Sequence, residues 1–399
     1  MRRLLLANLI SGSATLAVFT ALAAYVQQTV GATATTALFL VQTVAVIALA
    51  RWILRLLPSE RAGLLWGLGQ VVQLLLCVLL LPVREDLALI VVYAGVVAGL
   101  GGVSAPLMLY LVGRLAEEPL RQGALTGLAS GRTASLAIGP GIAAVLIPVG
   151  GVATVILVAA LLYAACAALV AHTRHARLTS AGGDTQAPAR GFLSTFARPD
   201  GVGRGLVPMV ILWAVLALAG GAVNAVEFPV MDVLHGFSAS MIGVTLAAYG
   251  VGGLVVFVLN TLNVDILHPL VPFVVLPFAL LGWAFLGPAG ALIGFFLTGA
   301  TYSLVSGWIR YVIDREATRS GVVIVDLWAW LQQIAAGISV VVYLLFLAAF
   351  ALAVSLTLLV FLMVGLFGVL GWFGVVAWRS ERRAGRGSVQ EPSACTDRS

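Results

Sequence analysis

The chain has 399 residues, of which 61% are hydrophobic and only 10% charged, with a mean hydropathy of +1.09. No soluble domain of this length hides that much apolar surface, so its main solvent is lipid. The formal net charge of +6 comes wholly from arginine, because lysine is absent. The placement of those arginines points to membrane topology and away from nucleic acid. The lysine-free, Ala-, Gly- and Val-rich composition hints at a GC-rich bacterial genome.

The first 25 residues, MRRLLLANLISGSATLAVFTALAAY, mimic a signal peptide. Their apolar run is too long and is interrupted by Asn8, Ser11 and Ser13, so a retained membrane helix is expected. Spans of about 20 mostly apolar residues recur along the chain. Twelve are expected: 4–28, 32–56, 62–82, 87–113, 123–148 and 151–172, then 205–229, 238–260, 269–287, 289–312, 321–345 and 351–378. Residues 173–204 between the two sets are polar, Arg-rich and broken by Gly and Pro. They read as a linker with one short surface helix near Phe192–Phe196. The organisation expected is a six-helix bundle over 1–172, a linker over 173–204, a second bundle over 205–378 and a tail over 379–399.

Nearly all arginines fall in Met1–Arg3, the loops after the second, fourth and tenth helices, the linker and the tail. Only Arg84, beside Glu85 and Asp86, falls on the opposite side. The positive-inside rule then places both termini and the linker in the cytoplasm. The halves also echo each other. At a shift of 198, Glu118 meets Glu316, Arg121 meets Arg319, Gly123 meets Gly321 and Gly139 meets Gly337. At a shift of 205, residues 31–50 parallel residues 236–255. Parallel repeats of this kind are one transporter architecture.

Three features of this layout resemble the major facilitator superfamily. They are the twelve spans about a central linker, the run GFSASMIGVTLAAYGVGG, and the segment LVGRLAEEPLRQGALTGLASGRTASLAIGPG. The resemblance implies an all-α polytopic fold of two pseudo-symmetric six-helix bundles, with helices one, four, seven and ten around a central cavity. Proton-coupled drug exporters of that superfamily carry a glycine-rich fifth-helix motif. Gly139 and Pro140 match it, while small residues (Thr126, Ser135, Ala143 and Ala144) replace its other glycines. The loop pattern after the second helix is degenerate: Arg55 matches, but Ala50 replaces the glycine and Leu54 the acid. By resemblance, then, the chain is a secondary transporter exporting a small drug or metabolite in exchange for protons, in a bacterial inner membrane. An importer of a small solute or lipid-like molecule is the alternative. So is a non-transporting receptor or scaffold on the same fold.

Particular residues carry this expectation. Gly139 and Pro140 open a helix to close packing that can change. Arg132, about two turns from the cytoplasm, either snorkels or pairs with the other half, for instance at Asp265. Asp326 is too short to snorkel far and is expected to bond Arg51, Arg55 or Arg61 when the cytoplasmic side closes. A static pair, or an acid complementing the helix dipole, is the alternative. Glu227 lies late in the seventh helix, flanked by Gly220, Gly221 and Pro229, with Asn224 one turn earlier on the same face. A carboxyl there can load and release a proton, or meet a cationic substrate; an interfacial acid is the alternative, as Asp232 is expected to be. Phe19, Trp213, Tyr302 and Ser306 are cavity candidates, with Thr15, Thr20, Tyr93, Met108, Tyr110 and Arg310 beside them. Aromatics with Met suit a bulky amphipathic ligand, although aromatics also form interfacial belts.

No enzyme chemistry is expected. His172, His175, His235 and His268 are scattered, and no phosphate-binding loop with a lysine exists. Cys77, Cys166 and Cys395 have neither metal spacing nor an even count. No cofactor or metal is therefore expected. The expected partners are a small-molecule substrate, protons and the lipid bilayer.

Overall fold

A computed structural model describes residues 2–56, 62–115, 118–171, 206–262, 271–322 and 324–387. The expected linker, its surface helix, Asp265 and the end of the tail lie outside them. Among the described residues regular structure is entirely helical. The helices are α1 (Arg2–Thr29), α2 (Ala32–Leu56), α3 (Ala62–Leu80), α4 (Leu87–Leu115), α5 (Glu118–Ala171), α6 (Val207–Pro229), α7 (Ala239–Thr261), α8 (Val271–Phe285), α9 (Gly287–Arg319), α10 (Ile324–Ala351) and α11 (Leu356–Gly387). A 3₁₀ turn, Leu81–Val83, follows α3, and a π-helical turn, Val230–Leu234, continues α6.

α5 is two rods. Gly150 (φ −158°, ψ 23°) and Gly151 (φ 67°, ψ −162°) leave helical geometry where a break between two spans is expected. Only glycine occupies the Gly151 conformation without steric cost. Nine stretches of the described residues are long and apolar enough to cross a membrane, and Ala32–Ala48 and Val271–Phe285 are shorter apolar helices. The largest departures from the expected bounds are at two helix ends. α9 runs past residue 312 to Arg319, because nothing interrupts it before Gly321. There Gly321 takes φ 67°, and the Gly321 and Val322 amides donate to the Thr318 and Ala317 carbonyls at 3.3 and 3.0 Å. That is a Schellman stop. α11 likewise continues past residue 378 to Gly387.

α1 packs on α5, α2 on α4, and α3 on both α4 and α5. In the second part of the chain α6 packs on α10 and α11, and α8 and α9 pack together, with α7 on α9 and α11 on α8. The two sets meet mainly where α5 touches α7 and α2 touches α10. Large apolar side chains such as Leu79, Leu161, Phe278, Ile293, Leu345 and Trp372 point outward and are exposed. In water this would be an aggregation hazard; against lipid it is the matching surface.

The prolines explain how the helices fit. A proline inside a helix frees the carbonyl four residues earlier, and in lipid that carbonyl needs a partner from another helix. Pro148 frees Ala144, and the Ser240 hydroxyl of α7 donates to the Ala144 carbonyl at 2.6 Å. Pro140 frees Leu136, whose carbonyl lies directly against Gly250 of α7, where a methyl group would collide with the Leu136–Ala137 backbone. Pro277 frees Phe273, whose carbonyl faces Gly371 of α11. Gly139 serves another neighbour: a Cβ there would sit 2.8 Å from the Ser13 carbonyl of α1 and 2.6 Å from the Leu16 Cβ. The Gly-Pro pair in α5 thus lets two helices approach at once, α1 at the glycine and α7 at the proline.

Candidate functional site

A cavity of about 420 Å³ lies between the two sets of helices. One face of α6 forms a wall of it through Trp213, Leu216, Ala217, Gly220, Asn224 and Glu227. These recur at helical three-, four- and seven-residue spacings, so they share a stripe. The fourteen residue steps from Trp213 to Glu227 span about 21 Å of helix. Leu16, Phe19 and Thr20 of α1, Leu136 and Pro140 of α5, Tyr249 of α7 and Phe295, Thr298 and Tyr302 of α9 close the other sides. Gly220 makes room for Tyr302: a Cβ there would sit 3.0 Å from its hydroxyl.

Glu227 is the only carboxyl on the wall, and its residue is just 8% exposed. Among the described residues no hydrogen bond or ion pair reaches it. A charge taken out of water without a partner is costly. An ionised Glu227 therefore needs a proton, a cationic group or water from the cavity. One turn earlier Asn224 donates through Nδ2 to the Tyr343 hydroxyl at 3.3 Å. Beyond Glu227, α6 ends at Pro229 and a π-helical turn follows, a local irregularity frequent at functional sites.

That end of the cavity is closed by side chains from both sets of helices. Phe19 meets Phe39 edge-on at 5.2 Å, and Phe39 lies 5.9 Å from both Phe228 and Tyr343. Gln27, near the end of α1, donates to the Asp232 carboxylate at 3.1 Å, and Gln28 to the Phe237 carbonyl at 3.1 Å. Asp232 is thus held by α1 in the turn after α6.

The opposite end is built around Arg310 of α9. Its guanidinium lies 5.5 Å from the Trp213 ring and 5.7 Å from the Trp328 ring, within cation–π range. Those rings meet edge-on at 5.1 Å. Each is pinned, Trp213 by donating to the Leu331 carbonyl at 3.2 Å and Trp328 by donating to the Asp314 carboxylate at 2.6 Å.

The structure therefore gathers Glu227, Asn224, Phe19, Trp213, Tyr302, Thr20 and Pro140 on one cavity. Ser306 is a correction: it is not on the wall, and its hydroxyl donates back to the Ser303 carbonyl at 3.2 Å. Thr15 is another. It bonds the buried Tyr163 at 2.8 Å, while Tyr93 bonds Cys77 at 3.3 Å and Met108 is core. Arg132 is exposed and has no ion-pair partner among the described residues. The backbones of Arg55 and Asp326 belong to α2 and α10, but their side chains lie outside the described residues. Sequence reasoning missed Tyr249, Phe295, Thr298 and Ser339. Tyr249 and Ser339 lie on helices outside the four the resemblance implies, and the others are single residues in an apolar run.

A family model, the Major Facilitator Superfamily, matches residues 4–340. The chain belongs to that superfamily. Solved structures agree on the fold. The POT family transporter PepTSo superposes with a TM-score of 0.69 at 11% identity, over 96% of this chain and 99% of that one. The nucleoside transporter NupG does so at 0.65 and 11%, over 94% and 98%. A bacterial homologue of the iron transporter ferroportin, in its outward-facing state, does so at 0.60 and 14%, over 95% and 99%. No curated protein sequence matches. The chain is thus an all-helical, multi-pass membrane transporter of the major facilitator fold, not an enzyme.

Proposed function

We propose that the protein is a proton-coupled secondary transporter that exports a small organic molecule, a drug or metabolite, by alternating access. Two six-helix bundles, 1–172 and 205–378, rock about the cavity in a bacterial inner membrane, with both termini and the 173–204 linker in the cytoplasm. Glu227 carries the proton and Asn224 stands beside it. Phe19, Trp213 and Tyr302 contact the apolar part of the cargo. Gly139 and Pro140 form the seam about which the halves move, and Arg132, Arg55 and Asp326 contribute to switching.

One observation carries this reading: a nearly buried carboxyl, with no hydrogen-bond or ion-pair partner among the described residues, stands on the wall of a cavity between the two sets of helices. A group so placed exchanges its partner, proton or cargo, as the cavity is wetted from one side and then the other. The aromatic lining suits a bulky apolar or cationic cargo. Import of a similar solute is the second reading, because the fifth-helix motif that implies export matches only at Gly139–Pro140.

The test compares small molecules in medium and cells for wild type, deletion and Glu227→Gln strains. A compound retained inside both mutants identifies an exported cargo; one depleted inside both reverses the direction. In proteoliposomes, one proton exchanged per cargo changes the accumulation ratio about tenfold per pH unit. Glu227→Gln is expected to lose that dependence. A Glu227→Gln protein with wild-type response to the pH gradient would sink the assignment of the proton to this residue.

A further inference from the structure

The end of the cavity opposite Glu227 has a charge arrangement that proton coupling does not use. Arg132 of α5 and Arg310 of α9 are both exposed, and each belongs to a face that lines the cavity: Arg132 is four and eight residues before the wall residues Leu136 and Pro140, and Arg310 lies over Trp213. The helices that carry them converge on α7. A Cβ at Gly253 would meet the Ser303 hydroxyl of α9 at 2.9 Å and the Thr133 methyl of α5, next to Arg132, at 3.2 Å. Two like charges, one from each set of helices, thus stand on cavity-lining faces, Arg310 beside the wall residue Trp213.

Neither guanidinium has an ion-pair partner among the described residues. The nearest acid along α9, Asp314, is one turn beyond Arg310 and accepts the Trp328 indole N–H at 2.6 Å. Arg310 is held between two tryptophans that are themselves hydrogen-bonded, so its orientation is set before any ligand arrives. A preset planar fork with free donors, and a second guanidinium across the gap, suit an oxyanion that accepts several hydrogen bonds.

We propose that Arg132 and Arg310 form a binding site for a polyatomic oxyanion, a phosphate or carboxylate group, at the end of the transport cavity opposite Glu227. The bound group neutralises the repulsion between the two guanidinium groups. Trp213, which Arg310 overlies, is about 21 Å of helix from Glu227, too far for one small molecule to bridge, so the two are separate subsites. The group is either part of the cargo or a free anion that resides at this end.

The test measures binding of radiolabelled inorganic phosphate to the full-length protein in lipid nanodiscs, with chloride holding ionic strength constant. Saturable binding is expected in wild type and in Arg84→Gln, whose arginine lies far away beside Glu85. Arg132→Gln and Arg310→Gln are each expected to weaken it tenfold or more. Arg132→Lys and Arg310→Lys, which keep the charge but lose the fork, are expected to weaken it less. They decide the matter if a glutamine variant does not run as a monodisperse particle. Equal affinity in all variants, or an equal response to chloride, overturns the proposal. Counterflow in proteoliposomes then separates the sources: phosphate that accumulates belongs to the cargo, and phosphate that binds without moving is a resident anion.

Discussion

The two places where the halves of the chain meet are built from different materials. At the α5–α7 seam, backbone meets backbone. Gly250 lies on the Leu136–Ala137 peptide, a Cβ at Gly243 would sit 2.9 Å from the Pro140 carbonyl, and Ser240 bonds the Ala144 carbonyl. At the α2–α10 seam, side chains meet: Phe39 and Tyr343 lie 5.9 Å apart with ring planes 31° from parallel. Rings can change rotamer when their surroundings shift, whereas a peptide group against a bare Cα has no such freedom. The first seam therefore tolerates sliding but not added atoms, and the second tolerates altered atoms.

The largest effect expected follows from adding one carbon to the backbone seam. Gly250→Ala drives a methyl group into the Leu136–Ala137 peptide, and overpacking of this kind costs about 3 kcal/mol. The variant is expected to melt well below wild type in detergent and to lose transport. A wild-type melting curve would show that the seam is looser than this contact implies. Ser240→Ala comes next. It strands the Ala144 carbonyl, for a loss of about 1 kcal/mol. The cause can be checked separately: Pro148→Ala gives that carbonyl an N–H from its own helix, so Ser240→Ala should cost almost nothing in the Pro148→Ala background. A double-mutant cycle of melting temperatures reads this coupling, and strict additivity would count against it.

This contrast explains which features could be read from the sequence. The helical class and the break before Gly151 follow from apolar run lengths and from Gly and Pro, which act locally. Glu227 stood out because a carboxyl in an apolar helix has few roles there. Gly139–Pro140 is visible as a motif, but the residues of α7 that meet this part of α5, Gly243, Gly250 and Ser240, are not. They are small residues about 100 positions away, and nothing local distinguishes a glycine that receives a carbonyl from one that merely fills space. Ser306 was misjudged for a related reason: a serine in a membrane helix often bonds its own backbone, and only the structure shows that it does. Arg310 is legible in the sequence as a cavity candidate, but nothing local shows that two tryptophans, 115 positions apart, clasp it.

The smallest effect belongs to the side-chain seam. Tyr343→Phe removes the acceptor of the Asn224 amide, a bond of 3.3 Å at the long end of the useful range. Asn224 is exposed to the cavity, so water can replace the lost hydroxyl. The ring remains and keeps its packing on Phe39. The expected cost is about 0.5 kcal/mol, a shift of melting temperature near the limit of detection. Transport is a finer probe than stability here, because a freed Asn224 amide sits one turn from Glu227 and can turn toward the cargo. An altered cargo affinity with an unchanged melting curve is the expected outcome. A large destabilisation would mean that the aromatic seam is as unforgiving as the backbone one, and the distinction between the two would fall.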